Sequence, residues 1–248
     1  MAEEGKYIYG IIGTDEARNF GAIGVGGRGD IVSTINYRAI SAVISNYPMG
    51  KYELSSENLI AHQRVIEKVI SSSTVLPTRA FTVAANAEEV RDFLRKRYYK
   101  LSGLLKDMDN KIELGLIAYW NDMAAIFQEI VNENKPIKQL KEKAAQVPNS
   151  VTFHEKMTLG ELVADALTTK KKSEAEEIIC PLKRLAFDLC QNDTRGDEMI
   201  FNAAFLIDRG REKEFDRKVS DISGNYTRRI RFKYIGAMPP YNFVNIKL

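Results

Sequence analysis

The amino-acid sequence predicts an α+β protein of two domains. Its 248 residues are enough chain for one large or two small domains. Along the chain, apolar residues recur with the two-residue period of strands in some stretches and the 3.6-residue period of helices in others. A polar stretch at 107–110 interrupts this pattern. We therefore place the domain boundary there, with an N-terminal domain at 1–110 and a C-terminal domain at 111–248.

The N-terminal domain is predicted to combine a mixed sheet with helices. A helix is expected from Ser56, a candidate N-cap, to Ser71, with His62 buried on its apolar face. Leu76-Pro77 is expected to break the chain, and Asn86 to start a second helix. Strands are predicted from β-rich runs at 7–12, 20–25, 31–36, 38–45 and 81–83.

The C-terminal domain is predicted to be a modified ferredoxin-like domain. Its strands are expected at 112–120, 200–207 and 226–235, with a helical insertion at about 121–191. Two strand–helix–strand units in one sheet are typical of that fold, here with one strand fewer and additional helices. Pro181 is expected to kink the insertion or to start a new helix. Pro239-Pro240 predicts an extended, proline-rich tail at 237–248.

The composition is that of an ordinary globular chain. Hydrophobic residues make up 44% and charged residues 28%, which excludes a disordered or collagen-like polymer. A net charge of +3 is far from the strongly basic balance of a dedicated nucleic-acid binder. The start of the chain is polar, and no apolar run is long enough to cross a bilayer. We therefore expect a cytoplasmic protein that binds neither nucleic acid nor membrane.

A glycine-rich loop is the one segment with the spacing of a cofactor-binding motif. Gly24-Val25-Gly26-Gly27-Arg28-Gly29 matches G-x-G-x-x-G, but that fingerprint requires a helix after the glycines. Here a predicted strand follows, so we interpret the segment as a hairpin or surface loop. A nucleotide-binding enzyme that uses Gly24–Gly29 remains an alternative hypothesis.

Catalytic and metal-binding patterns are otherwise absent from the sequence. Its two histidines, His62 and His154, fall in different predicted domains and have no neighbouring ligand at metal-binding spacing. No nucleophile is paired with a base. The sequence therefore predicts no catalytic residue, no metal and no cofactor, and the protein is expected not to be an enzyme.

The last predicted strand has one basic side. Its alternating residues are Arg229, Arg231 and Lys233 on one side and Ile230, Phe232 and Tyr234 on the other. We interpret the basic side as a solvated or protein-docking face, with Arg229 and Arg231 as candidate partner-binding residues. An RNA-binding ferredoxin-like module is a further alternative, although the basic side carries no aromatic residue for stacking on bases.

Several segments, in order along nearly the whole chain, resemble the gas vesicle protein F/L family. They are Tyr7-Ile8-Tyr9-Gly10-Ile11, Val75-Leu76-Pro77-Thr78-Arg79-Ala80-Phe81, Ala87-Glu88-Glu89-Val90, 111–120, 202–209 with Phe215, Asp216 and Val219, and 236–244. The tail Gly236-Ala237-Met238-Pro239-Pro240-Tyr241-Asn242-Phe243 is the strongest, because it resembles the family's Gly-Pro-Trp-Pro-Pro-Tyr-Ser-Phe signature. Ala237 and Met238 replace the usual Pro and Trp, and Met lacks the indole N–H donor and the rigid ring. The chain length favours the F type.

This resemblance implies a non-enzymatic role in building gas vesicles, the hollow protein shells that give buoyancy. It implies that the protein binds the hydrophobic shell subunit and other gas vesicle accessory proteins. It also implies that the protein limits aggregation of the shell subunit, supports nucleation of the shell and lies on the gas-facing surface. A protein that covers a sticky subunit needs apolar surface of its own. The candidates are the amphipathic helices within 158–191 and the tail residues Met238, Pro239, Pro240, Tyr241 and Phe243.

Overall fold

The computed structural model describes residues 4–48, 55–146 and 152–246. Its internal contacts divide the chain into two compact units. The first comprises Met1–Glu113 with Asp208–Gly210 and Gly236–Leu248, and the second comprises Leu114–Ile207 with Arg211–Ile235. Helices and antiparallel pairing in this architecture confirm the predicted α+β class. The tail differs from the predicted division, because it belongs to the first unit and not to the C-terminal domain.

The first unit is built on a six-stranded sheet. Its strands pair in the order β2-β3-β4-β1-β5, with β6 beside β1, and they are β1 (Glu4–Ile12), β2 (Asn19–Gly21), β3 (Val32–Tyr37), β4 (Ile40–Pro48), β5 (Val75–Pro77) and β6 (Val83–Ala84). Each of these pairings is antiparallel, so the prediction of a mixed sheet was wrong. Helices α1 (Ser56–Ile70) and α2 (Ala87–Asp107) pack on the sheet.

The starts of both helices follow from side-chain caps. Ser55, one residue before the predicted cap, caps α1, and its hydroxyl accepts the amide of Asn58 at 3.2 Å. Asn86 caps α2 as predicted, and its side-chain oxygen accepts the amides of Glu88 and Glu89 at 3.0 Å each. These contacts satisfy amides that have no partner within the helix.

Backbone conformation explains where predicted strands shift. Gly21 has a φ of +96°, which ends β2 well before the predicted residue 25. Phe81 has a φ of 65°, so it cannot belong to a strand, and β6 begins at Val83. Pro77, predicted to break the chain, ends β5, a position where a missing N–H donor is tolerated.

Gly10 of β1 is required by a close approach to β5. A Cβ atom at this position would lie 2.7 Å from the carbonyl oxygen of Leu76 and 2.8 Å from Cγ2 of Val75. The first of these neighbours is backbone, which cannot rotate away. The glycine in Tyr7-Ile8-Tyr9-Gly10 therefore has a packing reason.

A four-stranded sheet with helices follows in the chain. The elements are β7 (Lys111–Trp120), α3 (Met123–Glu133), α4 (Lys135–Gln146), α5 (Phe153–Lys183), β8 (Asp188–Asn192), β9 (Met199–Asp208), a 3-10 turn (Arg209–Arg211), α6 (Glu212–Tyr226) and β10 (Ile230–Met238). The sheet order is β10-β7-β9-β8. Strand β9 lies between β7 and β8, the strands of the first strand–helix–strand unit, and β7 lies between β9 and β10, the strands of the second. This interleaved order is that of a ferredoxin-like fold.

Strand β8 is absent from the sequence-based prediction, which extended the helical insertion to Gln191. In the structure α5 ends at Lys183, and β8 pairs antiparallel with β9. The sheet therefore has all four strands of a ferredoxin-like fold, and the prediction of one strand fewer was wrong. Pro181 lies in the last turn of α5 and starts no new helix.

Candidate interaction surfaces

The tail is docked inside the first unit. Pro239 and Pro240 are buried, and Tyr241 packs against the core cluster that includes residues of β1 and α1. The amide of Phe243 donates to the carbonyl of Pro240 at 3.1 Å, which closes a turn. Of the five tail candidates, Met238, Tyr241 and Phe243 remain partly exposed. Pro239 and Pro240 are buried in this arrangement, and their part in partner binding stays a prediction.

A buried carboxylate holds the tail. Glu113 is 1% exposed, and its two oxygens accept the backbone amide of Asn242 at 2.8 Å and the side-chain amide at 2.5 Å. Burial raises the pKa of Glu113, and the two hydrogen bonds from Asn242 oppose that rise. Sequence reasoning missed this contact. The signal was a single acidic residue within the apolar run of β7.

Arg229 is held by two glutamates of the second unit. Its guanidinium donates to both oxygens of Glu129, at 2.7 Å and 2.8 Å, and also pairs with Glu174. The hydrogen bonds from Arg229, together with those from Lys170, lower the pKa of Glu129 to about 2. The indole N–H of Trp120 donates to Glu174 at 2.8 Å. Arg229 therefore fastens α3 and α5, and it is not the free cation that the candidate partner-binding role requires.

Arg231 remains at the surface. It is exposed on β10, and its guanidinium carbon lies 4.6 Å from the centroid of the Tyr119 ring. Of the two predicted basic candidates, Arg231 is thus the accessible one.

The glycine-rich loop joins two antiparallel strands, β2 and β3, as predicted. The amide of Gly24 donates to the carbonyl of Asp30 at 3.0 Å, and the amide of Val25 donates to the hydroxyl of Tyr9 at 2.9 Å. A groove of about 710 Å³ lies beside the loop, but Arg28 is paired with Asp30 at 2.8 Å. A strand follows the glycines, so the loop does not itself open a helix as the dinucleotide fingerprint requires. The N-terminal turn of α1, with Ser55, Glu57 and Asn58, lines the groove instead.

His62 is buried in the first unit, as predicted. Its Nδ1 lies 3.0 Å from the hydroxyl of Tyr7, and its ring stacks on Tyr9 at 5.6 Å. The Tyr7 oxygen accepts the amide of Phe81 at 2.9 Å, so its own proton is available for Nδ1. Burial lowers the pKa of His62 to about 4. The ring is therefore a neutral core group.

Neither a metal site nor a membrane-spanning helix occurs in the described part of the chain. Within residues 4–48, 55–146 and 152–246, no group of three or more His, Cys, Asp or Glu side chains could hold a metal ion. In the same part of the chain, no helix is long and apolar enough to cross a membrane.

Exposed apolar side chains occur on α1 and beside it. Leu59 and Ile60 are consecutive in α1 and are 48% and 53% exposed. Ile23, 36% exposed, lies in the loop after β2 and lines the same groove as Ala61 of α1. We call Leu59 and Ile60 the α1 patch. Within the apolar face predicted at 158–191, Ile178 and Leu182 are buried in the core. Leu185 and Leu189 lie beyond the end of α5 and are partly buried.

Comparisons with known proteins find relatives over the full length of the chain. The family model described as gas vesicle synthesis protein GvpL/GvpF matches residues 5–245. Gas vesicle protein F of Nostoc sp. is 29% identical over 199 residues, which cover 79% of this chain and 80% of the relative. Gas vesicle protein F of Microcystis aeruginosa is 26% identical over 245 residues, or 98% of each chain. The crystal structure of GvpF from Anabaena sp. has a TM-score of 0.84 and 26% identity, covering 99% of this chain and 100% of that chain.

Proposed function

Because this chain belongs to the gas vesicle synthesis protein GvpL/GvpF family, we propose that it binds the hydrophobic shell subunit during vesicle assembly. It limits aggregation of that subunit and supports nucleation of the shell, together with other gas vesicle accessory proteins. Its role is binding and not catalysis, and its place in the finished vesicle is the gas-facing surface. The names of the relatives support the association with gas vesicles, and the further steps are our proposal.

The α1 patch is the observation that supports this proposal. A subunit that assembles through an apolar face exposes that face before assembly, and such a face aggregates in water. A protein that covers it needs apolar surface which its own core does not use. Leu59 and Ile60 meet that requirement, since both are about half exposed on consecutive positions of a helix.

A sedimentation experiment tests this proposal. The shell subunit is co-expressed with the intact chain, and the soluble and pelleted fractions of the subunit are compared. We expect the intact chain to keep the subunit soluble and the double variant Leu59→Asp with Ile60→Asp to lose this effect. Tyr99→Asp is the matched control, because Tyr99 is 84% exposed on α2 of the same unit. Circular dichroism checks that both variants are folded. If the α1 variant kept as much shell subunit soluble as the control does, the proposed surface would be contradicted.

A further inference from the structure

A groove in the second unit lies between helix α5 and strand β8. Strand β8 is last in the sheet order, so one edge pairs with β9 and, within the described part of the chain, the other edge has no partner strand. The groove has a volume of about 660 Å³. A groove with a helix on one side and an unpaired strand edge on the other is the geometry in which an extended peptide adds to a sheet.

The groove combines an apolar floor with a cationic rim. Its floor includes the buried side chains of Ile179, Ile200 and Phe201. Its charged lining residues are Lys171, Lys172, Glu176 and Lys183. Lys172 and Lys183 are exposed, and neither forms an ion pair with any residue that the structure describes. Three lysines against one glutamate favour an anionic occupant.

We propose that this groove binds an extended acidic segment of a partner protein, which pairs with β8 as a fifth strand. Lys172 and Lys183 are 11 positions apart on α5, about 16 Å along a helix axis. Two carboxylates four residues apart on one side of a strand are about 13 Å apart, and the long lysine side chains span the difference. The residue midway between them faces the floor and is apolar. The segment therefore carries acidic residues at positions i and i+4 and an apolar residue at i+2.

The edge itself limits other occupants. Strand β8 has five residues, and the amide of Leu189 donates to the carboxylate of Asp188 at 2.8 Å. A short strand with a charged residue at its edge is typical of proteins that avoid indiscriminate edge pairing. A second copy of this chain pairing through β8 would bring two lysine rims together, so charge favours an acidic partner over self-association.

Peptide binding to the full chain tests this proposal. The probe is the blocked peptide Ser-Asp-Thr-Val-Thr-Asp-Ser, and the comparison peptide has Lys in place of both Asp residues. We expect saturable binding of the acidic peptide with a dissociation constant below about 1 mM at low salt, and at least tenfold weaker binding of the basic one. The variant Lys172→Glu with Lys183→Glu should weaken the acidic peptide at least tenfold. Lys213→Glu with Lys218→Glu, on exposed positions of α6, should leave its affinity unchanged.

Strand addition has its own readout. When the acidic peptide binds, hydrogen exchange should slow at those β8 amides that face the unpaired edge. A peptide that is N-methylated at the alternate amides facing β8 should not bind. No saturable binding up to about 1 mM, equal affinity for the acidic and basic peptides, or equal affinity of the N-methylated peptide would each overturn the proposal. Dimerisation of the chain through β8, detected by sedimentation equilibrium and abolished by Gln191→Pro, would overturn it in favour of a second copy.

Discussion

Replacement of Asn242 by alanine should loosen the tail by a predictable amount. The change removes the side-chain donor to the Glu113 carboxylate but keeps the backbone amide donor. A hydrogen bond to a charged group contributes roughly 1.5–3 kcal/mol. Because Asn242 is itself exposed, the substitution leaves no cavity that would add to this figure. We expect a loss of about 2 kcal/mol at neutral pH, which lowers Tm by about 4–8 °C for a chain of this size.

The pH dependence of this loss identifies its cause. The raised pKa of Glu113 rises further when a donor is removed, so the folded variant holds its proton at pH values where the unfolded chain has released it. Because the unfolded chains share one pKa for this group, the difference in stability between wild type and variant depends only on the two folded pKa values. It is full above both values and shrinks as the pH falls below the folded pKa of the variant and then below that of the wild type. Urea denaturation followed by circular dichroism at several pH values measures it.

Asn245→Ala is the matched control for this experiment. Asn245 is exposed in the same tail and makes no hydrogen bond with any described residue. We expect its stability to stay within about 0.5 kcal/mol of the wild type. If Asn242→Ala were equally mild, or if its effect were the same at every pH, the tail would not be held by Glu113 and our reasoning would be refuted.

Three further changes test other parts of the structure. Gly10→Ala should destabilise the protein by at least about 2 kcal/mol in urea denaturation, since its Cβ would lie 2.7 Å from a backbone oxygen of β5. Gly210→Ala is the control, because its Cβ would meet nothing within 4 Å, and it should change the stability little. Arg229→Met should cost about 1 kcal/mol at low salt, because Arg229 and Glu129 are each about a third exposed. The pair lowers the pKa of Glu129 from 4.5 to about 2, so the wild type should lose this contribution as the pH falls through that interval. A flat pH profile of stability would contradict the pairing. Burial lowers the pKa of His62 from 6.5 to about 4, so the wild type should lose up to about 3 kcal/mol of unfolding free energy as the pH falls across that interval. The variant His62→Gln should not show this loss. An acid profile that the substitution leaves unchanged would count against a buried neutral ring.

Most strands could be predicted from the sequence, because runs of apolar and β-branched residues are a strong local signal and these strands are buried along most of their length. Strand β8 could not. Leu185 and Leu189 continue the four-three-four spacing of the preceding helix, and Leu189 fits a strand equally well. In a segment of five residues, periodicity cannot distinguish the two, and the pairing of β8 with β9 decides the outcome.

The contacts of the candidate residues were harder to predict, because their partners are distant in sequence. Arg229 binds Glu129, 100 positions away, and Glu174, 55 positions away. No local pattern signals such a pair, so a basic side chain beside a strand is interpreted as a surface charge. The docking of the tail could not be predicted for the same reason, since Glu113, the partner of Asn242, is 129 positions away. Its prolines predicted an extended chain but not the surface that it covers.

The proposed contact with the shell subunit can be measured directly by site-specific photo-cross-linking. A benzophenone amino acid is placed at Ile60 of the α1 patch or, in a matched variant, at Tyr99 of α2, and each chain is co-expressed with the shell subunit. We expect a covalent adduct with the subunit from position 60, and little or none from position 99. Equal adducts from both positions, or none from position 60 while the subunit stays soluble, would contradict binding through α1.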